Sequence, residues 1–327
     1  MHAQVQTMLY SGILALIVAL VLGPLLIPVL HRLKFGQSIR QEGPKSHQAK
    51  AGTPTMGGII ILVALCVPMI MFFSDKAAIW LALFVTLGHG LLGFLDDFIK
   101  VVLKRNLGLT AKQKLLGQII MAVCLAYVVT THFGLGTDIW IPFFNKSIDF
   151  GSLYFIVIFF VLVGTTNAVN LTDGLDGLAA GTTVISAGTY ALISYYFGNM
   201  ELAAFSFATA GACMGFLAYN IHPAKVFMGD TGSLALGGAL AAVAVMTKTE
   251  FLLIIVGGVY VVETLSVMIQ VASFKTTGKR VFKMSPIHHH FELSGWSEQK
   301  VVGVFWSAGL LLSIAALSIL IMSQGGR

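Results

Sequence analysis

Four stretches of this chain gather residues that could do chemistry. The first is Gly93-Phe94-Leu95-Asp96-Asp97-Phe98-Ile99-Lys100. On a helix, Asp96, Lys100 and Lys104 recur along one face, while Asp97 points about 100° away. Alone, such spacing is equally that of a solvated i, i+4 ion pair. The second, running from Asn167 to Gly177, sets Asn167, Asn170, Asp173 and Asp176 at threefold spacing, with Gly174 and Gly177 free to turn. A helix cap needs one such residue, not four. The third holds Asn220 and His222, then Phe227-Met228-Gly229-Asp230-Thr231-Gly232-Ser233. Its glycines flank an acid where a helix would begin, and the free N–H groups of a helix start suit an anion. It is not a Walker loop, because GxxxxGK[ST] is absent.

The fourth is Pro286-Ile287-His288-His289-His290-Phe291-Glu292. Three consecutive histidines cannot readily close on one ion from a regular element, and no cysteine supports a zinc site. Contact with a phosphate or sugar fits them better. A fifth, weaker stretch, Gly52 to Gly58, follows Lys45, His47 and Lys50 and offers glycines and hydroxyls to a phosphate. His89 and Glu263 fall within apolar runs and receive no role. Together, carboxylates, amides and lysines suggest a metal–polyphosphate site. Mg²⁺ takes oxygen ligands, commonly one or two carboxylates plus substrate phosphates, and lysines offset the remaining charge.

The elements that must position these groups are membrane helices. Of 327 residues, 57% are hydrophobic and 10% charged, with mean hydropathy +0.87. A soluble domain carries about 25% charged residues, so a water-soluble enzyme, a disordered chain and a disulfide scaffold are excluded. Cys66, Cys124 and Cys213 read as small buried hydrophobes. A span needs roughly 20 apolar residues. Ten runs qualify: 8–30, 57–73, 77–95, 113–131, 152–168, 178–196, 202–219, 231–247, 251–272 and 301–322. Loops then alternate sides, and sixteen of the twenty Lys and Arg residues fall on one of them. Only Lys76, Lys146, Lys248 and Arg327 fall on the other. The positive-inside rule makes the basic side cytoplasmic and puts both termini outside.

The reading is an all-α polytopic membrane protein of about ten helices, forming one domain over 1–327. Its cytoplasmic loops lie at about 31–56, 96–112, 169–177, 220–230 and 273–300. All five aspartates on that side fall in the acidic stretches described above. A prenyltransferase would carry DDxxD, which is absent. A transporter would place ionisable groups nearer the midplane.

With DDFIK, NLTDGLDG, FMGDTGS and PIHHHFELSGW in place, the chain resembles the polyprenyl-phosphate N-acetylhexosamine-1-phosphate transferases. Within them it is most similar to the phospho-N-acetylmuramoyl-pentapeptide transferase family, whose PIHHHFE form it carries. The resemblance spans nearly the whole chain, with no departure at a motif position. It implies Mg²⁺-dependent transfer of phospho-N-acetylmuramoyl-pentapeptide from its UDP carrier to undecaprenyl phosphate, giving lipid I and UMP. It also implies a ten-helix bundle in the bacterial inner membrane, often a homodimer, surrounded by membrane lipids and without a nucleic-acid partner.

Carried over by motif, Asp96, Asp97 and Asp230 match the family's essential aspartates, with Asp230 as metal ligand. Lys50, Asn170, Asp173, Asp176 and Phe227 match the nucleoside pocket, and Lys112, Asn220 and Gln270 match other polar positions of the cleft. His288, His289 and His290 match positions near phosphate and sugar, and Lys100 and Lys104 possible phosphate contacts.

Overall fold

The computed structural model describes residues 2–33, 50, 52–105 and 108–324. Residues 34–49, with Lys34, Arg40, Lys45 and His47 of the loop at 31–56, and the terminal Arg327 lie outside the described residues. Every one of the ten apolar runs is helical: α1 His2–Arg32, α2 Gly58–Phe73, α3 Ala77–Val101, α4 Ala111–Thr131, α5 Tyr154–Thr172, α6 Leu178–Tyr196, α7 Met200–Asn220, α8 Gly229–Met246, the pair α9 Glu250–Val256 and α10 Gly258–Thr277, and α12 Glu298–Gln324. A short α11, Ile287–Glu292, carries the histidines.

Among the described residues, seven helices are long and apolar enough to cross a membrane, or eight if the bent pair α9–α10 is one span. At 16 residues α2 is shorter than these, and the 19-residue α6 is not among them. The chain is a multi-pass helical membrane protein. The run at 251–272 reads as one straight span, but the chain turns by 81° between α9 and α10. The break falls at Gly257-Gly258, where two residues without side chains leave the helix least supported.

Helix α8 is the axis of the bundle. From Thr231 to Met246 every residue is buried, the expected fate of a helix that is apolar all round. Small residues let its neighbours come close, and α3 and α5 pack against it while α1 and α6 pack on α7. The closest approach sits at its N-terminus: a Cβ on Gly93 would lie 2.0 Å from the Asp230 carbonyl oxygen. That contact brings the end of α3, and so Asp96 and Asp97, against the start of α8.

Opposite the site, residues between α4 and α5 form a hairpin, with β1 Asp138–Ile141 antiparallel to β2 Lys146–Asp149. Asp149 accepts from the Thr137 hydroxyl at 2.5 Å and from the Gly151 N–H, and these bonds hold its carboxyl below the usual range. An apolar groove of about 360 Å³ opens between α5 and the bent pair, lined by Phe160, Val161, Phe251, Ile254, Val261 and Leu265 among others.

Candidate active site

The ends of α3, α5, α7 and α10 and the starts of α4, α8 and α12 meet at one end of the bundle. Of these, α3, α4, α5, α7 and α8, with Lys50, the loops after α5 and α7 and the segment from Met284 to His289, line a polar cavity of about 450 Å³. Asp230, in the first turn of α8, is its focus. Its Oδ2 accepts from Lys114 Nζ at 2.7 Å and Lys100 Nζ at 3.2 Å, and its Oδ1 from Asn170 Nδ2 at 2.9 Å. Asn170 also reaches Ser233 Oγ at 2.8 Å.

Asp97 turns toward α8 from the side. Its oxygens accept from the N–H groups of Asp230 and Thr231, at 3.2 and 2.9 Å, and from the Thr231 hydroxyl at 2.7 Å. It caps α8 from another helix and meets the positive end of that helix's dipole. Gly229 must be glycine here. Its φ is +74°, and a Cβ would lie 2.6 Å from Asp97 Oδ2.

Asp96 is wholly buried and does not line the cavity. Its Oδ1 accepts the Leu109 N–H at 2.7 Å, and its Oδ2 pairs with Lys100 and, at 3.1 Å, Lys114. The helical spacing of Asp96 and Lys100 thus forms an ion pair, and α3 ends before Lys104 can extend the row. Asp173 lies at the end of α5. Burial, then the negative Asp230 and Asp97, push its carboxyl up to about 8.

The carboxylate oxygens of Asp96, Asp97 and Asp230 lie within 4.8 Å of one another, close enough to hold a metal ion. The donor set is all oxygen, and the buried Asp96 Oδ2 makes no well-directed hydrogen bond. Both features fit a hard divalent cation.

The sequence model of glycosyl transferase family 4 matches residues 79–248, which span α3 to the end of α8. The first phospho-N-acetylmuramoyl-pentapeptide-transferase signature matches residues 50–62. The phospho-N-acetylmuramoyl-pentapeptide-transferases of Bacillus subtilis, Bacillus pumilus and Anoxybacillus flavithermus are each 58% identical over 318 residues, or 96% of this chain and 98% of theirs. The chain belongs to the phospho-N-acetylmuramoyl-pentapeptide-transferase family. It is a transferase of peptidoglycan synthesis.

In this family member a second polar cluster closes the far wall of the cavity. Lys50 Nζ lies 2.7 Å from Asp176 Oδ1 and 2.6 Å from Glu298 Oε1. Asp176 Oδ2 takes His222 Nδ1 at 3.0 Å and the Ala224 N–H at 3.1 Å, and Glu298 Oε1 accepts the Asp176 N–H at 2.7 Å. Asn220 ties this wall together, accepting from the Gly177 N–H and donating to the Val226 carbonyl. Phe227 lines the cavity while its backbone is clasped by Pro54 and Gly57. The stretch Gly52–Gly58, expected to offer its glycines to phosphate, instead spends this backbone on residues 227–228.

The His triplet divides. His288 and His289 line the cavity, whereas His290 Nδ1 accepts the Lys283 N–H outside it. Gln270 also stands back, with both ends of its amide bonded to the backbone of Val281 and Phe282. Lys104 and Lys112 are exposed and outside the lining.

Two contributors escaped sequence reasoning. Lys114 was one lysine among several on the basic side, and only the approach of α4 to α3 turns it onto Asp230. Glu298 follows the recognised Trp296 by two residues, and nothing in its spacing connects it with Lys50.

Proposed function

We propose that this protein transfers phospho-N-acetylmuramoyl-pentapeptide from UDP-N-acetylmuramoyl-pentapeptide to undecaprenyl phosphate, yielding lipid I and UMP. It would do so in the bacterial inner membrane, with the site on the cytoplasmic face. The observation that carries this reading is the convergence of Lys100, Lys114, Asn170, Asp97 and Asp230 on one cavity, with Asp96 buried behind the lysines, in a bundle that also carries an apolar groove. The groove suits a polyprenyl chain, and Ala168, one of its lining residues, lies two positions before Asn170 in sequence. The basic loops at the site end support the cytoplasmic assignment. The family further suggests a homodimer.

Magnesium is the cation proposed for the aspartate cluster, held by Asp230 with Asp97 and Asp96 close by. When bound it would supply charge neutralisation to the substrate's diphosphate. The chain's own residues do the rest. Lys100 and Lys114 stand ready to meet phosphate oxygens, and Asn170 fixes the Asp230 carboxylate in rotation. Lys50, Asp176 and Phe227 would hold the nucleoside end, with Phe227 stacking on uracil.

The attacking group needs little activation. The second pKa of a phosphate monoester is near 6, so the lipid phosphate is largely ionised at neutral pH. Catalysis is then mainly positioning and charge stabilisation. Asp96 and Asp97 are poorly suited to attack phosphorus. The first has no face in the cavity, and the second is held by three hydrogen bonds. We therefore favour direct in-line attack by the lipid phosphate on the β-phosphorus over an acyl-phosphate intermediate. Asp96 then serves to seat the two lysines.

The test is UMP release by purified protein given both substrates and Mg²⁺. Release that requires all three, and stops with EDTA, is expected. No release from folded protein would refute the assignment. A phosphorylated enzyme trapped without the lipid acceptor would refute direct attack.

A further inference from the structure

Glu263 sits on α10 with no solvent exposure, among apolar neighbours, and the function described above leaves it unused. Its Oε1 lies 3.0 Å from Nδ1 of His288, which is also wholly buried. Glu263 Oε2 and His288 Nε2 have no hydrogen-bond partner among the described residues. Yet His288 lines the polar cavity, and its Nε2 edge lies over Gly174, where a Cβ would come within 2.3 Å of that nitrogen. A buried polar atom without a partner is costly. This one lies against Gly174, itself a residue of the cavity lining.

The pair's charge decides what Nε2 can do. A glutamate carboxylate beside a neutral imidazole would bury one net negative charge, the most expensive state in a medium of low dielectric. Two states are neutral overall and leave no acid O–H buried on the partnerless Oε2. In one, the carboxylate pairs with an imidazolium. In the other, the carboxylic acid donates to Nδ1 of a neutral ring. Both put a hydrogen on Nε2, so both turn the cavity edge of the ring into a donor.

We infer that Glu263 is a positioning residue that shares one proton with His288 Nδ1 and thereby presents Nε2–H to an anionic oxygen of the substrate's diphosphate. This rests on the function proposed above. The six-residue α11 is too short to orient the ring by itself. Glu263 supplies the second point of attachment, from the 20-residue α10. The backbone bonds of Gln270 to residues 281–282 anchor the same loop from the same helix.

The wild-type protein offers the first test, without substrate. With ¹⁵N-labelled histidine, the His288 ring, assigned by loss of its signal in His288→Ala, should show a protonated Nε2. A bare Nε2 would overturn the inference.

The second test is kinetic. Glu263→Leu, which keeps the site apolar and filled, should lower kcat between about tenfold and a hundredfold. KM for UDP-N-acetylmuramoyl-pentapeptide should stay within about threefold. Glu263→Gln, whose amide can still donate to Nδ1, should recover most of the rate. The double variant Glu263→Leu/His288→Ala should be no slower than His288→Ala alone, because the carboxylate acts only through the ring. Multiplying losses, or a wild-type kcat in Glu263→Leu, would overturn the inference. Absence of UMP release by the wild type would count instead against the proposed function, and the ring signal would still report on the pair.

Discussion

Two clusters of lysine and carboxylate share one end of this bundle, built from the same residue types and only loops apart. Around Asp230, two lysines and an amide converge on one carboxylate that keeps an opening to the cavity, its side chain 17% exposed. Around Asp176 and Glu298, one lysine, a histidine and two backbone N–H groups match two carboxylates that are nearly closed, 2% and 9% exposed. The first shares its two lysines between Asp230 and the buried Asp96 and keeps lysines and Asp230 partly open to the cavity. The second satisfies itself and ties the start of α12 to the loop after α5. Composition does not separate the open cluster from the closed one here. Exposure does.

The comparison can be broken by substitution on either side. Asp230→Asn should lower kcat at least about a thousandfold while the protein stays folded, since it removes the group on which the cations converge. Activity above that level would unseat Asp230. Lys114→Ala should cost about a hundredfold in kcat, comparable to losing one donor from a charge-stabilising site. A change in KM alone would make it a binding residue only. In the second cluster, Glu298→Gln should leave kcat within a few-fold. It should raise KM for the nucleotide substrate by about tenfold, or roughly 1.4 kcal/mol, and lower thermal stability by roughly 2 kcal/mol. A collapse of kcat there would erase the distinction between the clusters.

The smallest expected effect concerns pH. The Asp173 carboxyl is pushed up to about 8 in the folded protein, against 3.8 as a free group. Between those values the folded state binds the extra proton, so in EDTA stability should fall as pH rises from about 4 to about 8. Asp173→Asn should flatten that slope. A thermal-unfolding series that rises over this window would contradict the assignment.

Much of this could be read from the chain alone because the membrane enforces it. Each apolar run had to become a helix, since backbone groups in lipid can be satisfied in few ways. Alternating loops then brought the five acidic and basic stretches to one end. What escaped reading depended on approach between elements. Lys114 meets Asp230 because α4 lies against α3, which Gly93 in turn lets lie against the start of α8. The 81° turn at Gly257-Gly258 carried only a pair of glycines as its signal. The His triplet looks uniform in sequence, yet a single helical turn sends His290 away from its neighbours. Asp96 and Asp97 are adjacent, but their angular separation makes one a buried seat for lysines and the other a cap on α8.

Single-turnover UMP release in lipid vesicles tests the account most directly, with enzyme in excess over UDP-N-acetylmuramoyl-pentapeptide and Mg²⁺ present. The account predicts no UMP until undecaprenyl phosphate is added, then one UMP per lipid product. It also predicts a full burst in Glu298→Gln at raised enzyme concentration and none in Asp230→Asn. UMP released before the acceptor arrives, or a full burst from Asp230→Asn, would contradict it.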